Sequence, residues 1–200
     1  MYHFWKRVFD IFSASIALVL ILPLLAVISV VIKLNSRGPV LYKGVRTGLN
    51  AKPFRILKFR TMVPNAEQLG GTATAHCDPR ITSVGHFLRH HKLDELPQLI
   101  NVIRGDMSVV GPRPEVEEHT SVYTDEEMAI LSVPPGITDF SSVRFINLNK
   151  MLGSEDPNRA FIEKYRDEKN RLRLEYVRRR SFLTDMRILV ATIGKLLARF

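Results

Sequence analysis

The chain has 200 residues, 29 basic and 20 acidic side chains, a formal charge of +9 and 46% hydrophobic residues. That composition excludes wholesale disorder, which needs apolar poverty, and the single cysteine, Cys77, excludes an intramolecular disulfide framework and a cysteine-based zinc finger. The charge is segregated, +9 over residues 1–60, −7 over 61–158 and +7 over 159–200, which argues against a nucleic-acid module that spreads basic residues over a working face.

Residues 11–32 (IFSASIALVLILPLLAVISVVI) carry no charge over 22 positions. As a helix this run is about 33 Å long, the hydrocarbon thickness of a bilayer. It is too long for the apolar region of a secretory signal, and no small-residue cleavage site follows it. It is apolar all round, so a soluble core helix is disfavoured. A proline-kinked spanning helix and a membrane hairpin remain open. Pro23 sits at the midpoint and removes a backbone donor, Ser13, Ser15 and Ser29 can re-satisfy freed groups, and Lys6, Arg7, Lys33, Arg37 and Lys43 put cations at both ends, which the positive-inside rule favours if both ends stay cytoplasmic.

Segments 39–47 and 53–60 are rich in β-branched and aromatic residues around a turn-like Gly48–Lys52, and predict a short β-hairpin. Residues 63–80 read as a loop. In LDELPQLINVIRG, Pro97 is compatible only with a first turn. The spacing therefore predicts a helix with Asp94 near the N-cap, Glu95 in the first turn, Gly105 just past the end, and Leu96, Leu99, Ile100 and Ile103 on one apolar face. Asp94–Glu95 then reads either as a helix cap with dipole-matched acids or as a site where two carboxylates share a divalent cation with a phosphate. Arg113, fixed between two prolines in GPRP, suits bidentate phosphate capture or is an arginine in a surface turn. Lys58, Arg60, Arg89 and Arg144 are further cations for the acidic pair. Adjacent histidines point in different directions on a helix, and no second histidine follows His90–His91 at helical spacing, so zinc is not expected.

Residues 126–131 predict a short surface helix and 159–181 a charged helical stretch. At about 100° per residue, Phe182, Leu183, Met186, Leu189, Val190, Ile193, Leu196, Leu197 and Phe200 share one arc, opposite Thr184, Asp185, Arg187, Thr192, Lys195 and Arg199. This fits an ordinary helix packed on a core by its apolar arc, and equally an interfacial helix facing anionic lipid.

Five motifs occur in one order: KRVFD (6–10) before the apolar run, RTGLNAKPFRILKFRTM (46–62), DPRITSVGHFLRHHKLDELPQL (78–99), GDMSVVGPRPE (105–115) and PGIT (135–138). Together they resemble the bacterial sugar transferases, the monotopic polyprenyl-phosphate phosphoglycosyl transferases, from about residue 4 to 138 and again, weakly, in SFLTDMRILVATI. The resemblance implies an α+β, mostly helical monotopic membrane protein: a re-entrant helix-break-helix and anchor over 1–36, then a cytoplasmic catalytic domain over 37–200 with a short β-hairpin and interfacial amphipathic helices, at the bacterial inner membrane.

It also implies a reaction: sugar-1-phosphate passes from a UDP-sugar to polyprenyl (undecaprenyl) phosphate, giving polyprenyl-diphosphate-sugar and UMP through an aspartyl phosphosugar, as the first membrane step of a glycan. Asp94 matches the nucleophile and Glu95 its partner in holding Mg²⁺. Arg113 matches a phosphate-binding arginine, with Lys58 and Arg89 as supports. Pro23 matches the hairpin break, and Lys6, Arg7 and Asp10 its interfacial anchor. No nucleic acid is expected, and a homodimer is left open. Many members continue PGIT with a glycine, a glutamine and a Gly-Arg pair. Here the run is Asp139-Phe140-Ser141-Ser142-Val143-Arg144, with Arg144 as the stand-in for the family arginine. The rival reading is a non-catalytic membrane-anchored scaffold whose acidic middle docks a partner.

Overall fold

The computed structural model describes residues 2–69, 78–151 and 157–198. The predicted loop residues 70–77, with Cys77, and the ends of the amphipathic arc, Arg199 and Phe200, lie outside the described residues.

The first element is α1 (Tyr2–Asn35), an apolar helix of 34 residues. Where the sequence reading expects a helix-break-helix, the structure draws one helix through Pro23. A proline deletes one amide donor and bends a helix without having to end it. The expected re-satisfaction by serines is not what the bonds show: Ser13 Oγ donates to Phe9 O and Ser29 Oγ to Leu25 O, not to the carbonyl four residues before Pro23. Only Asp10, Ala14, Ile28 and Ile32 of α1 are buried, so the helix docks at two places. Between them Val19, Leu20, Leu22 and Val27 are each at least 60% exposed, far more apolar surface than a water-facing helix carries.

The predicted hairpin is present: β1 (Leu41–Thr47) pairs antiparallel with β2 (Pro53–Phe59), Leu41 opposite Phe59 and Thr47 opposite Pro53. Asn50 and Ala51 take left-handed φ values of 53° and 60° to close its turn. Next come α2 (Ser83–His90), N-capped by Thr82, whose Oγ1 accepts from Gly85 N, and α3 (Gln98–Arg104). Gly105 ends α3 at φ 100°, with its amide donating to Asn101 O and Val102 O, the C-terminal stop that the sequence predicts.

The start of α3 differs from expectation. Leu93–Glu95 forms a separate 3₁₀ turn and Pro97 is the N-cap, so Asp94 is not a helix cap. The buried face also differs: Gln98, Asn101 and Val102 are buried, and Leu99 and Ile103 only partly so. Asn101 explains this. Its Oδ1 accepts from Leu57 N at 2.8 Å and its Nδ2 donates to Arg55 O at 2.8 Å, so a polar side chain serves β2 in place of a strand neighbour.

Beyond α3, β3 (Ser108–Val110) precedes the one-turn α4 (Glu117–Thr120), a 3₁₀ segment Glu127–Ser132 where 126–131 predicted a helix, and β4 (Gly136–Thr138). Strands β3 and β4 pair in parallel. A Cβ on Gly136 would lie 2.1 Å from Gly111 N, so this crossing of the GPRP and PGIT motifs admits only glycine. The chain continues through α5 (Phe140–Arg144), the one-turn α6 (Leu148–Met151) and α7 (Pro157–Ala160), a π-helical turn Phe161–Tyr165, α8 (Arg166–Arg179) and α9 (Phe182–Leu197).

Three apolar clusters join these pieces. Ala14 meets Ile56, Val102 and Met107; Ile28 and Ile32 meet Phe59 and Leu88; Val110 meets Tyr176 and Ile188. Helix α9 docks by Asp185 and Ile188, with Thr192 bonded to Thr138 at 2.7 Å. The sequence reading put Asp185 and Thr192 on the polar outer side. Instead Phe182, Leu183, Val190, Ile193 and Leu197 are exposed, so most of the apolar arc faces away from the core, while Leu189 packs against the Val110 cluster. Phe182 stacks edge-on against Phe9 at 5.5 Å, making the exposed apolar surfaces of α1 and α9 continuous.

Candidate active site

The two carboxylates sit in a turn that the chain has to strain to make. Lys92 adopts φ 59° and leads into the 3₁₀ turn carrying Asp94 and Glu95. Asp94 is 7% exposed, and its Oδ1 is buried without a hydrogen-bond partner. Burial and then the Glu95 charge push its carboxyl up, against the pull of Lys58, Lys92 and Arg89.

Glu95 has the opposite surroundings. Lys58 Nζ lies 3.2 Å from its Oε1, Arg113 Nη1 donates to Oε2 at 3.0 Å, and Arg113 Nη2 donates to Oε1. Burial works to raise the Glu95 carboxyl, but Arg113, Lys58 and Lys92 outweigh it and hold it well below the usual range. The pair is thus split into an ionised carboxylate with two cations and a desolvated neighbour with none in contact.

The residues around the pair explain the placement. Lys58 lies on β2 and is delivered by the hairpin. Arg89, in the last turn of α2, donates from Nε to Thr61 Oγ1 at 2.8 Å, and its charge acts on Asp94. Arg113 is held at three places beyond Glu95: by its two flanking prolines, by Nη1 donating to Ile137 O at 3.3 Å, and by its amide donating to Asp139 Oδ2 at 3.4 Å. Asp139, fully buried, also caps α5 by accepting from Ser142 N at 2.6 Å.

The structure therefore unites Asp94, Glu95, Lys58 and Arg113 and brings Arg89 alongside. It does not bring Arg144 there: that side chain is exposed and pairs with Glu168 at 3.4 Å, because α5 turns it toward α8. Lys6, Arg7 and Asp10 are used inward, clamping α1 to the domain. Lys6 Nζ lies 2.8 Å from Asp185 Oδ2, Arg7 donates to Val102 O and Ile103 O at the C-terminus of α3, and Asp10 accepts from Ser108 Oγ and Val109 N. Pro23 is exposed in the middle of α1.

Sequence reasoning missed Asn101, Thr61, Asp139 and the group Glu115–Lys169–Arg173. Asp139 carried a readable signal, an acid directly before a Phe-Ser-Ser helical start. Arg173 carried none, since its partner Glu115 is far away in the chain.

The donor set fits a hard divalent cation. It holds two carboxylates, one with an unpaired buried oxygen, and no cluster of three metal-ligating side chains occurs among the described residues. Mg²⁺ is commonly held by one or two carboxylates, completed by phosphate oxygens and water.

These features define a protein with one long, exposed apolar helix and a buried carboxylate pair, one member of which is held by Lys58 and Arg113. The sequence profile described as bacterial sugar transferase matches residues 1–199, and the chain belongs to that family. A UDP-glucose:undecaprenyl-phosphate glucose-1-phosphate transferase of Escherichia coli (strain K12) is 38% identical over 95% of this chain and 39% of its own length. The enzyme of the same name from Caulobacter vibrioides is 37% identical over 96% of this chain and 69% of its own length. Exopolysaccharide production protein PSS of Rhizobium leguminosarum bv. phaseoli is 38% identical over 97% of this chain and 96% of its own length. The chain thus spans about two fifths of the Escherichia coli relative and nearly all of the Rhizobium one.

Proposed function

We propose that this chain transfers sugar-1-phosphate from a UDP-sugar to undecaprenyl phosphate in two steps at Asp94. The observation that carries the reading is the buried, unpaired Asp94 oxygen next to a Glu95 already neutralised by Lys58 and Arg113. An Asp94 oxygen attacks the β-phosphorus of the donor; the bond from that phosphorus to the bridging oxygen breaks and UMP leaves. A phosphate oxygen of the lipid then attacks the same phosphorus. The acyl-phosphate bond breaks, polyprenyl-diphosphate-sugar forms and the Asp94 carboxylate is restored. Arg113 and Lys58 supply fixed positive charge to phosphate oxygens, a positioning and electrostatic role. Asp94 and Glu95 would hold Mg²⁺, which when bound screens the phosphates from the attacking carboxylate.

The names of the relatives support the donor and acceptor classes. The assay that tests the reading mixes purified protein, Mg²⁺, undecaprenyl phosphate and a panel of UDP-sugars. UMP release dependent on both substrates is expected with at least one donor; silence with every donor would return the chain to a scaffold.

The topology belongs to the same proposal. Helix α1 enters and leaves one leaflet by bending at Pro23, since Asp10/Ala14 and Ile28/Ile32 dock on the same domain while the stretch between stays apolar and exposed. The exposed arc of α9 extends that surface, with the domain on the cytoplasmic face of the inner membrane. In a Cys77→Ser background, His3→Cys and Arg37→Cys should both be labelled by an impermeant thiol reagent only after the membrane is opened. Labelling of one from each side would make α1 a span.

A further inference from the structure

The cations best placed to receive a phosphate are already in use. Arg113 spends both terminal nitrogens on Glu95 in a fork, and Lys58 adds a third contact at 3.2 Å. Asp94, the adjacent residue, takes none of them although its Oδ1 is buried and unpaired. Charge balance alone would let the two cations be shared across both carboxylates. Instead they serve the one that is not the nucleophile. A carboxylate and a phosphate offer a guanidinium the same pair of parallel acceptors, and the backbone of Arg113 is fixed by its prolines and by Asp139, so a change of partner needs only side-chain movement.

We propose that Glu95 is an internal stand-in for the donor's diphosphate: in the free enzyme it occupies Arg113 and Lys58, and a nucleoside diphosphate displaces it. The inference rests on reading this as a nucleotide-sugar site, and it adds that Glu95 and the donor compete for one set of cations. The exchange protects the nucleophile, because Arg113 is kept from pairing with Asp94 until an incoming phosphate takes it. It also gives Glu95 free oxygens only when a donor is present.

The test is UDP binding, measured calorimetrically on the full chain in nanodiscs with all divalent cation chelated. Glu95→Gln should bind UDP about tenfold or more tightly than the parent, the scale of one or two charge-assisted hydrogen bonds released from competition. Asp94→Asn removes the same charge next door but leaves Arg113 engaged, so it should gain about threefold at most. Glu95→Asp keeps the charge and shortens the reach, and should fall between parent and Glu95→Gln. Equal gains in Asp94→Asn and Glu95→Gln would reduce the effect to general repulsion and overturn the exchange. So would an unchanged Glu95→Gln that melts normally, as would a gain seen for undecaprenyl phosphate and not for UDP. The parent titrated with UDP and Mg²⁺ separates the two levels: binding there with no gain in Glu95→Gln sinks the exchange alone, and no binding there sinks the nucleotide-sugar reading with it.

Discussion

Asp94→Asn is expected to lower UMP release by about four orders of magnitude or more while making the protein more resistant to heat. The first effect is the scale on which removal of the covalent nucleophile proposed for this site acts. The second follows from burial. The folded Asp94 carboxyl titrates above its ordinary value because desolvation, and then Glu95, penalise its charge. Below the ordinary carboxylate range both folded and unfolded chains hold the proton and nothing is lost. As pH rises from there through the raised folded value, the unfolded chain gives up its proton first, so folding stability falls and stays lowered at neutral pH. The asparagine carries no charge to desolvate. Melting curves of metal-free parent and variant should therefore coincide in acid and separate with rising pH, the variant melting higher. Mass spectrometry of the parent incubated with donor alone should show a phosphosugar adduct on Asp94 that the variant lacks. Full turnover in Asp94→Asn would take the nucleophile's role from it.

What was legible in the sequence was local. The hairpin announced itself by β-branched and aromatic residues around a turn, α3 ended at its glycine, and the apolar run from Ile11 was visible in the absence of charge. The site was legible in outline, since the DE pair and the GPRP arginine stand in short rigid motifs. What the chain did not show is pairing across distance. Periodicity places Asp185 on a polar arc, and a polar arc is ordinarily a wet one. Here Asp185 is buried because Lys6 and Tyr2 from the far end of the chain and Tyr176 from α8 converge on it. The same reason hid Asn101, a polar residue on the buried face of α3 that serves the backbone of β2. Arg144 erred in the other direction. Its spacing after PGIT suggested the site, but the Asp139 cap starts a helix that carries it away to Glu168.

The largest loss of stability is expected from Arg173→Met. The Arg173 guanidinium is 1% exposed, donates from Nη1 to Asn170 Oδ1 at 3.0 Å, and pairs through Nη2 with Glu115. Lys169 reaches the same Glu115 oxygen at 3.2 Å. Burial would raise the Glu115 carboxyl, but Lys169 and Arg173 outweigh it and hold it well below the usual range. Removing one partner leaves a buried charge under-compensated, which costs about 3–5 kcal/mol, or roughly 6–20 °C in Tm for a chain of this size. The loss is conditional on the charge of Glu115. Its depressed folded pKa contributes stability that is present above the ordinary glutamate range and is lost as pH falls through the folded value, so the gap between parent and variant should narrow in acid. Glu115→Gln should for the same reason cost far less in the Arg173→Met background than in the parent, with a coupling above about 1 kcal/mol. Glu115 lies two residues beyond Arg113, and its carbonyl accepts from Thr47 N at 2.9 Å, so this network is the floor on which Arg113 stands. Additive single-variant losses would show instead that Arg173 acts by packing alone.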